Sequence, residues 1–158
     1  MQVIVYAVDD TEVSAVLTAF HAGEITTDYG LGSTPTRLDL GFVYSTAEVT
    51  AGSAHSLAEA LMTNAPTAAF VIWQDPSYPA NGSYVGHVPG VGVLEAECNV
   101  HGTPLISLRK VIPFFSTSRR TAWTQTEDNE AGQVRQAAEV LDALAELVQR
   151  LPGAPSAE

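Results

Sequence analysis

The C-terminal stretch constrains the fold most. Val134, Ala137, Ala138, Leu141, Leu144, Ala145, Val148 and Leu151 recur at spacings of three and four, which sets them along one stripe of an α-helix. The spacing predicts a helix over 129–151. Such a helix needs an apolar surface to lie on, because amphipathic helices in proteins draw most of their stability from packing. The rest of the chain has to supply that surface.

It does so mainly as strands. Residues 2–8, QVIVYAV, and 68–74, AAFVIWQ, are β-branched, apolar and short, the signature of buried strands. Asp9 and Glu12 fit a D-x-x-E capping box, ahead of a helical stripe formed by Val13, Val16, Leu17 and Phe20 and stopped at Gly23. Residues 24–37 read as a loop, and LDLGFVY at 38–44 as a strand with a bulge at Gly41. Ser56 and Glu59 form a second capping box for a helix over 54–64. Next come SYVGHV, VGVLEAEC and PLISLRKVIPFF, three segments of an antiparallel meander. Its second turn, Val100-His101-Gly102, reads as a three-residue loop with a left-handed Gly102. That register pairs Ala96 with Ile106 and Leu94 with Leu108, and sends Glu95 and Glu97 to the other face. Residues 116–128 read as a polar connector.

The expected fold is α+β: a mainly antiparallel sheet, built as β-α-β-α followed by a β-meander. The helices, including the long C-terminal one, pack on one face. A first β-α-β unit would add a parallel pair. Residues 1–151 read as a single globular domain, and 152–158 as a flexible tail.

Charge narrows the function. The 158 residues carry 18 acids and only 7 bases, a net charge of -11. Acids at that level are ordinary for a chain with about 25% charged residues in all, so the imbalance comes from missing bases. Residues 1–108 hold one base, Arg37; Arg109, Lys110, Arg119 and Arg120 then fall close together, with Trp123 after them. A strongly negative chain is repelled by nucleic-acid backbones and anionic lipid alike. The single cysteine, Cys98, excludes an intrachain disulfide and a multi-thiolate zinc site. No signal sequence is evident and no apolar stretch is long enough to cross a bilayer. The expectation is a cytoplasmic protein that does not bind membranes.

Each candidate for chemistry has a structural explanation. Asp9 and Asp10 are acids at a helix N-terminus, where the dipole favours them. His21, near Glu24 and Asp28, belongs at a helix C-terminus for the same reason. His55 and Glu59 lie four apart on one helix face, which is two ligands where a metal needs more. Ser53 and Ser56 suit helix capping, Cys98 a buried strand position, and Glu95 with Glu97 a solvated face. Gly30-Leu31-Gly32 and Gly90-Val91-Gly92 do not extend to a phosphate-binding motif, and the only lysine is Lys110. No cofactor and no metal is expected.

What remains is the segment 109–123. Arginine and tryptophan are enriched where interfaces concentrate their binding energy. The reading that follows is a non-enzymatic protein-interaction or assembly module. It uses Arg109, Lys110, Arg119, Arg120 and Trp123, with the C-terminal helix as a second surface. A protein partner or self-association ranks above nucleic acid. The first alternative is a small hydrolase or acid–base enzyme, metal-dependent or not, built on Asp9, Asp10, His21 and His55. The second is an anionic nucleic-acid mimic, which ranks lower because the acids are spread along the chain.

Overall fold

A computed structural model describes residues 1–47, 49–78, 80–106 and 125–151, the side chains of 125–131 excepted. The elements are β1 (Gln2–Ala7), α1 (Val13–Ala22), β2 (Tyr44–Ser45), α2 (Ser53–Asn64), β3 (Ala69–Gln74), β4 (Gly82–Val88), β5 (Gly92–Cys98), β6 (Pro104–Leu105) and α3 (Gln125–Arg150). The fold is α+β. Six strands form one open sheet in the order β2-β1-β3-β4-β5-β6, and every adjacent pair is antiparallel.

Two expectations about the sheet are corrected. There is no parallel pair among the described strands. The long connection after α1 carries the chain back past β1, so Tyr44 and Ser45 enter antiparallel, opposite Val3 and Gln2. Nor do the helices share one face. The strands are apolar at consecutive positions, as in Val3-Ile4-Val5 and Phe70-Val71-Ile72, so both faces need a cover. Val3, Val5, Phe70, Ile72 and Val85 pack with Val16 and Phe20 of α1 and Leu57 and Leu61 of α2. On the opposite face Val71, Tyr84, Leu94 and Cys98 pack with Ala137, Val140 and Leu144 of α3.

The N-terminus of α1 is held by a network rather than a capping box. No side chain caps the helix, which starts at Val13. Instead the Glu12 carboxylate accepts hydrogen bonds from the Thr67 amide (2.9 Å) and the Thr67 hydroxyl (2.7 Å). That same hydroxyl accepts from the Asp9 amide at 3.0 Å. Glu12 therefore ties α1 to the turn between α2 and β3, where an ionised acceptor is worth more than a local cap. Charge-assisted bonds of this kind contribute about 1.5–3 kcal/mol. Glu12→Ala is expected to cost about 2 kcal/mol in a urea titration, and Thr67→Val a similar amount. Additivity of the two in a double variant would show that they do not form one network.

The second capping box also gives way. α2 starts at Ser53, ahead of Ser56, with Gly52 before it at φ 90° and no side-chain cap. Starting early keeps Ala54 and Leu57 in the helix and buried. The Ser53 hydroxyl instead donates to the Thr50 carbonyl at 2.8 Å.

α3 begins earlier than the expected 129, at Gln125, and its stripe is turned. Ala137, Val140 and Leu144 are buried, while Ala138, Ala145 and Val148 are exposed. The face that includes Val140 and Leu147 covers more apolar area than the one that includes the two alanines, and it takes the sheet side.

The β5–β6 hairpin keeps its expected register. Glu97 opposes Leu105 and Cys98 opposes Pro104, the same alignment that sets Ala96 against Ile106. Gly102 is left-handed at φ 70° and lies against the Trp73 ring, with no room for a side chain. The Asn99 carboxamide oxygen closes the turn by accepting from the His101 and Thr103 amides at 2.9 and 3.0 Å. Leu108, the other residue of that expected register, lies outside the described residues.

LDLGFVY is not a strand along its length. Only Tyr44, with the Ser45 that follows, pairs in the sheet; the chain before it turns. Gly41, left-handed at φ 76°, donates its amide to the Val5 carbonyl at 2.8 Å and meets Leu151 at the end of α3. One bond at the glycine replaces a ladder, and the apolar side chains around it turn outward.

Candidate functional site

The acids and histidines selected from the sequence do not gather. Asp9 and Asp10 are exposed ahead of α1 and His21 is exposed in its last turn; His55 is half-buried in α2, with Glu59 exposed. Among the described residues no three His, Cys, Asp or Glu side chains lie close enough to hold a metal ion. Ser53 makes its short bonds to the Thr50 backbone and hydroxyl rather than to His55. Glu95 and Glu97 are exposed, and Glu97 accepts from the Asn81 carboxamide at 2.8 Å. Cys98 is buried at the strand end, 3.6 Å from the Gln74 carbonyl, and burial pushes its thiol pKa up. A thiol held protonated is a poor nucleophile. Arg109, Lys110, Arg119, Arg120 and Trp123 lie outside the described residues.

Three other places offer themselves. One cleft, of about 610 Å³, lies where β5 and β6 meet the early turns of α3, lined by Leu94, Ala96, Leu105, Ile106, Val134 and Ala137 together with Glu95 and Glu97.

A second cleft, of about 350 Å³, opens where β1 begins and β3 ends, lined by Gln2, Tyr29, Ser45, Gln74, Asp75 and Ser77 among others. Its lining is mixed, with Met1, Ala47 and Val49 beside these polar groups. Both glutamine side-chain carbonyl oxygens are shut off from solvent with no hydrogen-bond partner among the described residues. For Gln74 the orientation of the amide is settled, because its Nε2 donates to the Thr50 carbonyl at 3.0 Å and only nitrogen can do so. Tyr29 adopts a left-handed backbone at φ 43°, in a turn closed by the Gly30 amide donating to the Thr26 hydroxyl at 2.8 Å. Its ring is left 71% exposed.

The third is an apolar surface at the β1–β2 side of the sheet. Leu40, Phe42 and Val43 are 45%, 44% and 43% exposed, and Val148 of α3 is 37% exposed. The segment is nonetheless held in place. Its Gly41 is bonded to β1 and touches Leu151, the Asp39 amide donates to the Tyr44 hydroxyl oxygen at 2.7 Å, and the Phe42 ring meets Tyr44 edge-on at 5.0 Å. Two exposed ion pairs stand on the same two segments: Arg37 with Asp39 at 2.7 Å, and Arg150 with Glu146 at 3.2 Å.

The sequence reading did not single out this surface. The run Leu38–Tyr44 looks like strand interior, and its one warning sign is Asp39 and Gly41 interrupting the apolar residues. No family model, curated protein or solved structure matches the chain, so the reading rests on this geometry.

Proposed function

We propose that the chain is a non-enzymatic assembly module that pairs with a second copy of itself. The contact is the 38–43 segment together with the C-terminal end of α3. The observation that supports this is the row of Leu40, Phe42 and Val43, exposed on a backbone that is pinned at both ends and at Gly41. Bulky apolar side chains held in a fixed array toward solvent mark an interaction surface. Charge favours this surface over others for an approach between two copies. Two chains of net charge -11 repel one another, and the cheapest approach is through a patch whose own charges are balanced. At this surface Arg37 and Arg150 each sit on an acid of the same chain. The segment 109–123 remains a second contact on its composition alone.

Sedimentation of the full chain at its highest soluble concentration is expected to give the mass of a dimer. Leu40→Asp and, separately, Phe42→Asp are expected to give a folded monomer, with circular dichroism confirming the fold. A wild-type monomer overturns the proposal. So does a dimer that survives both changes and is lost in Arg119→Glu/Arg120→Glu, which would place the contact in the basic segment.

A further inference from the structure

We infer that ionic strength controls the self-association of this chain, and that added salt tightens the dimer. This rests on the self-association reading and assigns the regulation of that contact. The surface of Leu40, Phe42 and Val43 offers a second copy no free base to attract it. Arg37 is held by Asp39 at 2.7 Å and Arg150 by Glu146 at 3.2 Å, so the two bases on its segments are engaged within their own chain. Attraction there comes from apolar area, which needs no charge. Repulsion comes from the rest of the molecule. Glu139 and Asp142 are exposed on α3, and neither forms an ion pair among the described residues. They belong to a net charge of -11. Two copies therefore meet against a mutual repulsion that the contact itself does not relieve.

The reach of that repulsion depends on salt. The screening length is about 30 Å at 0.01 M, about 10 Å at 0.1 M and about 3 Å at 1 M. In the sheet order β5 stands four steps from β2, and neighbouring strands are about 4.8 Å apart. The exposed Glu95 and Glu97 of β5 therefore lie about 19 Å from the β2 edge. That is within the screening length in the most dilute salt and beyond it at about 0.1 M. Acids this remote oppose association only when salt is scarce. A contact made by Arg109, Lys110, Arg119 and Arg120 on the other copy's acids has the opposite dependence, since salt screens attraction as it does repulsion. The sign of the salt effect separates the apolar surface from the basic segment.

The test is sedimentation of the full chain over a concentration series in about 0.01, 0.1 and 1 M NaCl, which gives the dimer dissociation constant at each. It is expected to fall at least about tenfold over the first step and by less over the second. General salting-out of apolar surface has the reverse shape, because it grows with the amount of salt. Glu95→Gln/Glu97→Gln is expected to tighten the dimer about threefold in the most dilute salt and to leave the value in the most concentrated unchanged, although neither residue lies at the contact. Glutamine keeps an acceptor for the Asn81 carboxamide, so circular dichroism of this variant should match wild type. Three results overturn the inference and leave the self-association reading standing. One is a dimer, sensitive to Leu40→Asp, that salt loosens or leaves unchanged. Another is tightening confined to the second step. The third is a Glu95→Gln/Glu97→Gln chain that dimerises no better than wild type in the most dilute salt. A chain that is monomeric in all three salts overturns that reading and this inference together.

Discussion

Leu144→Asp is expected to abolish cooperative folding at room temperature, while Ala145→Asp, one residue further on, leaves the chain folded. Leu144 is buried against the sheet, with its side chain over Gly86 of β4, and Ala145 is exposed on the outer side of α3. Removing a buried leucine costs about 2–5 kcal/mol. A carboxylate left in its place has no partner and must be protonated or drag water inward, adding several kcal/mol more. The sum approaches the whole stability of a typical domain, about 5–15 kcal/mol. At Ala145 the same substitution costs only helix propensity and an unfavourable charge near the helix C-terminus, about 1–1.5 kcal/mol together. Far-UV circular dichroism and urea unfolding of the two variants would check this. Similar loss in both would mean that α3 does not lie on the sheet by the face described, and the second core would then lack its cover.

The contrast between those neighbouring positions also shows where the sequence was legible. Spacing of three and four residues identified the helix. It did not decide which of two overlapping stripes faces inward, because Ala137, Leu141 and Leu144 belong to both. Side-chain size decided it, through Val140 and Leu147. The meander and its β5–β6 register were legible for a stronger reason: a one-residue slip would have set apolar side chains against polar ones. Capping boxes were read from local spacing, yet Glu12 found a better partner in Thr67, far away in sequence. No local pattern carries that information. The outward turn of Leu40, Phe42 and Val43 was hidden likewise, since an apolar run looks the same whether it ends in a core or on a surface. The cleft between the start of β1 and the end of β3 was least legible of all. Gln2 and Gln74 are ordinary strand-end residues until antiparallel pairing brings the start of β1 beside the end of β3, with Gln2 opposite Trp73.

The chain is expected to lose stability steeply above pH 10, with Tyr84 as the largest single contributor. Tyr84 is 6% exposed, packed under α3. Burial is the main force raising its pKa far above the ordinary value near 10, with smaller contributions from neighbouring Tyr6 and Cys98. Burial also raises Tyr6, and raises Tyr44 against the opposing effect of its bond to the Asp39 backbone. A phenol that keeps its proton in the folded state, and loses it near pH 10 when unfolded, leaves stability untouched below that pH. Above it the unfolded chain releases protons that the folded chain retains, so each further pH unit draws the equilibrium toward unfolding by about 1.4 kcal/mol for such a group. The decline persists until the folded phenol itself ionises, which for Tyr84 lies beyond the usable alkaline range. Urea unfolding at pH 8, 10 and 11 should therefore show a plateau followed by a fall. Tyr84→Phe should leave the pH 8 value within about 1 kcal/mol and flatten the fall by the contribution of one group. An alkaline limb of equal slope in both chains would mean that the phenol is solvated in the folded state, and that α3 does not seal the face of the sheet on which it lies.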